Sequence, residues 1–273
     1  MPKRERSEGS SIHLRCLGFC GADDSVEPAL LAAVSAQHEW VEWGVLFRPD
    51  KEGLPRYASP EWLKRLGEAN RGRSLRLAAH LCSSRVDELL KGDLAFVSYI
   101  HKEIGFDRVQ INATAANNCD VSVFATDAGA DACVERLRKV FAALPDVEFI
   151  VQRNAHTKPL WSRLAGGDGT DLPPNMSLLY DDSMGLGKCS ASWPAPPEAH
   201  ELKFGYAGGL SPANLAQQLR AIDAVAGGRT LWVDMESSLR TSLADGGDIF
   251  DVNKAMKCVG AVVELGMAVG NAQ

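Results

Sequence analysis

The sequence predicts an α/β chain folded as a single (β/α)8 TIM barrel, and three observations carry that expectation. One unit recurs eight times: a short apolar run, a polar or glycine-containing turn, then a stretch with apolar residues at three-to-four spacing. The runs are nearly continuous in apolar residues, the pattern of parallel strands covered by helices rather than of sheets with one wet face. A chain of 273 residues, 45% of them hydrophobic, has the length and apolar content for one such barrel. An open doubly wound sheet would use the same alternation, but no GxGxxG turn supports it.

The eight strands are expected at Leu14–Cys20, Val41–Phe47, Leu75–Leu81, Arg108–Asn112, Val147–Gln152, Met176–Tyr180, Leu202–Ala207 and Leu231–Met235. Ser59-Pro60-Glu61 and Ser211-Pro212 mark helix starts, with serine as the cap and proline in the first turn. Asp131–Leu144 and Leu215–Val225 have the apolar spacing of outer helices. The sixth connection, Lys188–His200, is rich in Pro and Ser and is expected to hold no full helix, and Gly166–Pro174 reads as a loop. Residues 1–11 are basic and contain Ser and Gly without an apolar run, so a disordered tail is expected before a barrel domain over residues 12–273.

A net charge of −6 leaves no overall positive field to hold a polyanion, which argues against nucleic acid as a partner. No window approaches the roughly 18 to 20 apolar residues that span a bilayer. A cytoplasmic protein without a membrane partner is expected, and pairing with a second copy is left open. The cysteines at 16, 20, 82, 119, 133, 189 and 258 are odd in number and lack CxxC spacing, so reduced, buried thiols are expected rather than a zinc site.

Several short strings fall in an order that points to one family. They are Phe19-Cys20-Gly21 on the first strand, Pro55-Arg56-Tyr57-Ala58-Ser59-Pro60-Glu61 after the second, and Val109-Gln110-Ile111-Asn112 on the fourth. Leu178–Ser183 with Gly185-Leu186-Gly187-Lys188, and Ala207-Gly208-Gly209-Leu210-Ser211-Pro212-Ala213-Asn214, complete the set. Over most of its length the chain resembles phosphoribosylanthranilate isomerase, a ribulose-phosphate-binding barrel of tryptophan biosynthesis. It departs from the family pattern in strand eight, where Asp-Val-Ser-Ser-Gly-Val-Glu is replaced by Asp234-Met235-Glu236-Ser237-Ser238-Leu239-Arg240, and after strand four, where Asn112-Ala113 stands for His-Gly. The loop before the glycine turn is also shorter.

The resemblance implies an aldose–ketose (Amadori) isomerisation of a small phosphorylated or carboxylate-bearing metabolite by acid–base catalysis, with no cofactor and no metal. It implies Cys20 as the base and one of Asp181 and Asp182 as the acid. A rival register puts Leu17-Gly18 in the place of the cysteine motif. Arg56 would hold a substrate carboxylate, a task suited to a forked guanidinium. Arg48 and Lys51 stand nearby, and a solvated loop paired to Asp50 or Glu52 accounts for most such charge runs, which leaves Arg56 as the first candidate of the three. Gly208 and Gly209, with the Ser211-Pro212 helix start and Ser237-Ser238, would receive a phosphate. His80, Gln110, Asn112, Gln152, Asn154 and Asp234 end other strands and are candidates to line the mouth.

Glu236 replaces a serine of the phosphate turn and is expected to reach the mouth, where a carboxylate disfavours a phosphate unless Lys203, Arg240 or a metal neutralises it. A one-residue shift that leaves Ser237-Ser238 as the turn is the alternative. Two other readings remain at this stage: a metal-dependent lyase or hydrolase using His80, Asp181, Asp234 and Glu236, and a ligand-binding relative without catalysis.

Overall fold

A computed structural model describes residues 11–166, 172–183, 190, 192–198, 202–244 and 246–267. Eight parallel strands close into a barrel in sequence order: β1 (His13–Cys20), β2 (Val41–Phe47), β3 (Arg76–Leu81), β4 (Arg108–Ile111), β5 (Glu148–Arg153), β6 (Met176–Tyr180), β7 (Lys203–Ala207) and β8 (Thr230–Met235). Each begins and ends within one residue of an expected run. Closure comes from pairing of β8 with β1, which sets Gly18 beside Asp234 and Phe19 beside Met235. The tail expected over residues 1–11 lies outside the described residues except for Ser11, and so do Cys189 and the Gly185–Lys188 turn.

Among the described residues, eight α-helices accompany the strands: α1 (Pro28–Gln37), α2 (Pro60–Ala69), α3 (Ser84–Leu90), α4 (Ala95–Glu103), α5 (Asp127–Ala143), α6 (Lys158–Leu164), α7 (Leu215–Ala226) and α8 (Val252–Glu264). Two of them, α3 and α4, follow β3. The described part of the sixth connection holds no helix, in keeping with its Pro and Ser content. Ser59 caps α2 as its sequence suggests, accepting from the Trp62 amide. The Ser211-Pro212 start is a correction: α7 begins only at Leu215, and residues 211–214 form a turn in which the Ser211 amide donates to Asn214 Oδ1 at 2.8 Å. A short hairpin, β9 (Arg240–Ser242) and β10 (Asp248–Phe250), was not foreseen and stands between β8 and α8. Among the described residues, no helix is long and apolar enough to cross a membrane.

Strand alternation sends Leu17 and Phe19 outward into the apolar layer under the helices, and Cys16 inward, where it packs with Ile150, Leu179, Ala207 and Trp232. At the N-terminal end of the barrel an ionic layer fills the bore. Arg108 lies between Glu42 (2.5 Å) and Glu148 (3.1 Å), and its guanidinium stacks 4.5 Å from the centre of the Trp232 ring. Arg15 binds both oxygens of Glu148 and stacks at 4.7 Å on the same ring. Glycine makes room for this ring: a Cβ at Gly205 would lie 2.3 Å from Trp232. The six described cysteines are all buried free thiols.

Candidate active site

The C-terminal ends of the strands enclose a cavity of about 330 Å³. Arg48, Arg56, His80, Gln110, Asn112, Gln152, Asp181, Gly208, Gly209, Asp234, Glu236, Ser237 and Ser238 all line it. Lys51 and Asn117, the latter not singled out from the sequence, line it too. Convergence follows from topology: each strand delivers its last inward residues to one mouth, so positions dispersed from 48 to 238 become neighbours.

Asp234 and His80 are buried in the cavity lining, and glycines on the neighbouring strands leave space for them. A Cβ at Gly18 would lie 2.4 Å from Asp234 Oδ1, and one at Gly44 would lie 2.8 Å from His80 Nε2. Burial holds the Asp234 carboxyl well above the usual carboxylate range, with Glu42 and Glu236 adding to the effect. Burial, with a smaller push from Arg108, takes His80 down to about 3, so its ring is neutral.

Asp181 and Asp182 separate cleanly. Asp181 is buried at the cavity wall, where its oxygens accept from Ser183 (amide 3.1 Å, hydroxyl 2.5 Å) and from Gln152 Nε2 at 3.3 Å. Asp182 is exposed and is absent from the lining, which corrects its candidacy. An extended chain points successive side chains to opposite sides, so only one of two adjacent aspartates can face the bore. Gln152 is 2% exposed, and its Oε1 is a buried acceptor without a partner among the described residues. Gln110 donates to Asn112 Oδ1 at 2.8 Å, which orders the β4 side of the wall.

Cys20 is also corrected. Its side chain does point inward, unlike Leu17, but it is fully buried against Leu46 and Cys82 behind Tyr57 and does not line the cavity. Burial pushes its thiol well above the ordinary value, and Glu236 and Asp234 push it further. A base needs the thiolate, and this setting disfavours it.

Arg56 lies at the rim with φ of +78°. Its own amide donates to Asp23 Oδ2 at 2.6 Å, which holds this unusual backbone in place. Its guanidinium contacts Glu236 Oε1 at 3.3 Å, Ser237 Oγ at 3.4 Å and Asp248 Oδ2 at 3.4 Å. Glu236 therefore reaches the mouth as expected, but Arg56 faces it. Lys203 stands at the opposite end of the barrel on Glu148, and Arg240 is committed to Asp23 and Asp248, each at 2.8 Å. Burial outweighs Arg56, so the Glu236 carboxyl lies above its ordinary value even with the guanidinium beside it. The side chain keeps 36% exposure, so water moderates both effects. Arg48 pairs with Asp50 at 3.1 Å while lining the cavity, so the solvated salt bridge and the cavity wall coexist in one residue.

Gly208 and Gly209 have φ of +105° and +66° and turn the chain at the end of β7. They border the cavity beside a turn of 3-10 helix, Ser237–Leu239, whose Ser238 hydroxyl donates to Leu210 O at 2.7 Å. Among the described residues, no group of three or more His, Cys, Asp or Glu side chains is arranged to hold a metal ion.

No protein-family model matches the chain, and no curated protein matches it in sequence. Solved structures similar to it include phosphoribosyl anthranilate isomerase from Thermococcus kodakaraensis, at 13% identity over 93% of this chain and 98% of that one, with a TM-score of 0.42. D-psicose 3-epimerase from Clostridium cellulolyticum H10 gives 13% identity over 91% and 97%, with a TM-score of 0.46. Dihydrodipicolinate synthase from Agrobacterium tumefaciens gives 15% identity over 83% and 70%, with a TM-score of 0.45. All three are enzymes by name. Likeness at this level reaches the barrel at most, and the barrel assignment stands on the strand order itself.

Proposed function

We propose that this barrel is an enzyme that moves a proton on a small anionic, polyhydroxylated metabolite, in the manner of an aldose–ketose isomerase. The observation that carries the reading is the division of the cavity. Cationic Arg48, Lys51 and Arg56 occupy the rim on the β2 side, while a carboxyl favoured in its protonated form, Asp234, lies at the floor with Asp181 on the adjoining wall. Two carboxyl groups in different environments are the usual means of supplying an acid and a base together.

In this scheme the ligand's anionic group meets the rim cations, and a phosphate lies against Gly208, Gly209, Ser237 and Ser238. Its neutral hydroxyls face Gln110, Asn112 and Gln152, whose unpartnered Oε1 calls for a donor. Asp234 donates the proton that opens or polarises the sugar, and Asp181 accepts the proton from the neighbouring carbon. Cys20 takes no part. The resemblance to phosphoribosylanthranilate isomerase supports this reaction class, with the base moved from β1 to β6.

Solvent exchange tests the proposal. Phosphorylated aldoses and their N-aryl glycosylamines are incubated with the protein in D2O and followed by proton NMR. Deuterium is expected at the carbon next to the anomeric one, and Asp181→Asn and Asp234→Asn each abolish its entry. No exchange and no turnover across the series would overturn the reading.

A further inference from the structure

Arg56 is held by two independent sets of contacts. Its backbone is fixed from below: Asp23 is 4% exposed in its side chain and takes both the Arg56 amide and the buried Arg240 guanidinium, which also donates to Gly21 O at 2.8 Å. Its guanidinium has long contacts of 3.3 to 3.4 Å, to the partly exposed Glu236 and Asp248 and the exposed Ser237. Ion pairs this long and this open to water hold their partners weakly, whereas the Asp23–Arg240 pair is buried and close. The root of Arg56 is rigid and its charged tip is exchangeable.

We infer that a ligand oxyanion competes with Glu236 and Asp248 for the Arg56 guanidinium, and that Glu236 takes up one solvent proton as it yields. The inference rests on the substrate reading above and adds a coupling that the reading does not require. The groups that face Glu236 set its direction. Arg56 from the β2–α2 loop and Arg240 from the β9–β10 hairpin favour the charged form. Asp181 just after β6, Asp234 from β8, Cys20 from β1, and Cys82 and Tyr57 beside them interact with it unfavourably when charged. Arg240 stays bound to Asp23 and Asp248. Diverting Arg56 therefore removes the largest influence that keeps Glu236 charged and leaves burial and the neighbouring acids in place. A bound anion adds a further negative charge and acts in the same direction. The like-charge penalty expected of a carboxylate beside a phosphate is thereby relieved by protonation. No bond other than the O–H of Glu236 is made, and the proton comes from the buffer.

Calorimetric titration of the full chain with sulfate and with benzoate, neither of which titrates between about pH 5 and 8, reads the coupling directly. The first stands in for a phosphate and the second for a carboxylate, so the stronger binder identifies the oxyanion. In buffers of different ionisation enthalpy, proton uptake on binding is expected at the acidic end of that range, with affinity rising by up to about tenfold per pH unit as pH falls. Glu236→Gln, a neutral side chain of the same shape at a half-exposed position, is expected to bind the anion at least as tightly with no proton uptake and a flat pH profile. Binding with no uptake, or with the same uptake in Glu236→Gln, overturns the inference and leaves the substrate reading standing. Failure of both anions to bind overturns both.

Discussion

Replacing Asp234 by asparagine separates stability from chemistry. The side chain is buried at the cavity floor with Oδ1 wedged over Gly18, where a Cβ would lie 2.4 Å away. Burial, then Glu42 and Glu236, hold its carboxyl well above the usual range, while Arg108 opposes them. In the unfolded chain an aspartate releases its proton near pH 3.9. Above that pH the folded protein retains a proton that the unfolded chain has lost, so stability is complete below the unfolded value and declines as pH rises toward the folded one. One proton sets the slope at no more than about 1.4 kcal/mol per pH unit. Asparagine keeps the shape and cannot titrate, so Asp234→Asn removes the decline. At neutral pH the variant is expected to be more stable than the wild type by ~1–3 kcal/mol, the ordinary penalty of a poorly compensated buried polar group. The gap should shrink toward zero near pH 4, and turnover should be lost because an amide passes no proton. Urea unfolding at several pH values, read as a change of midpoint at constant m, measures the gap. A gap that does not depend on pH, or one of the opposite sign, refutes the protonated floor, and full turnover by the variant removes Asp234 as the acid.

Two further outcomes follow from buried charge. Arg108→Met leaves Glu42 and Glu148 facing each other in the bore with only Arg15 and Lys203 on Glu148; a loss of ~3–5 kcal/mol is expected from urea midpoints, partly restored by Glu42→Gln in the same chain. His80, taken down to about 3 by burial, is neutral when folded, so its contribution is complete above about pH 6.5 and is lost as pH falls toward 3. His80→Gln should flatten that part of the stability profile, and an unchanged acid limb would show that the ring is not kept neutral.

The local pattern of the chain determined the barrel. Nearly continuous apolar runs such as Val41–Phe47 and Met176–Tyr180 are strands because a parallel strand is buried on both faces, and that requirement is written in consecutive residues. Ser59 before Pro60 and Glu61 specified the start of α2 for an equally local reason. Strand ends were legible as well, so the candidate residues near them, from Arg48 to Glu236, could be named in advance. Contacts between distant segments were not. The choice of Asp181 over Asp182 depends on which side of β6 faces the bore, a matter of barrel closure that the two adjacent letters do not carry. Cys20 has the right strand and the right face, yet Leu46 and Tyr57 close over it from elsewhere in the chain. Glu42, Arg108 and Glu148 read as isolated charges in apolar strands, and only registration of β2, β4 and β5 turns them into one ionic layer. The partner of Glu236 lies 180 residues away, on a loop whose backbone Asp23 holds and whose guanidinium Asp248 shares. Periodicity reports what each element buries, whereas charge pairing across the mouth is set by the ring of strands that brings their ends together.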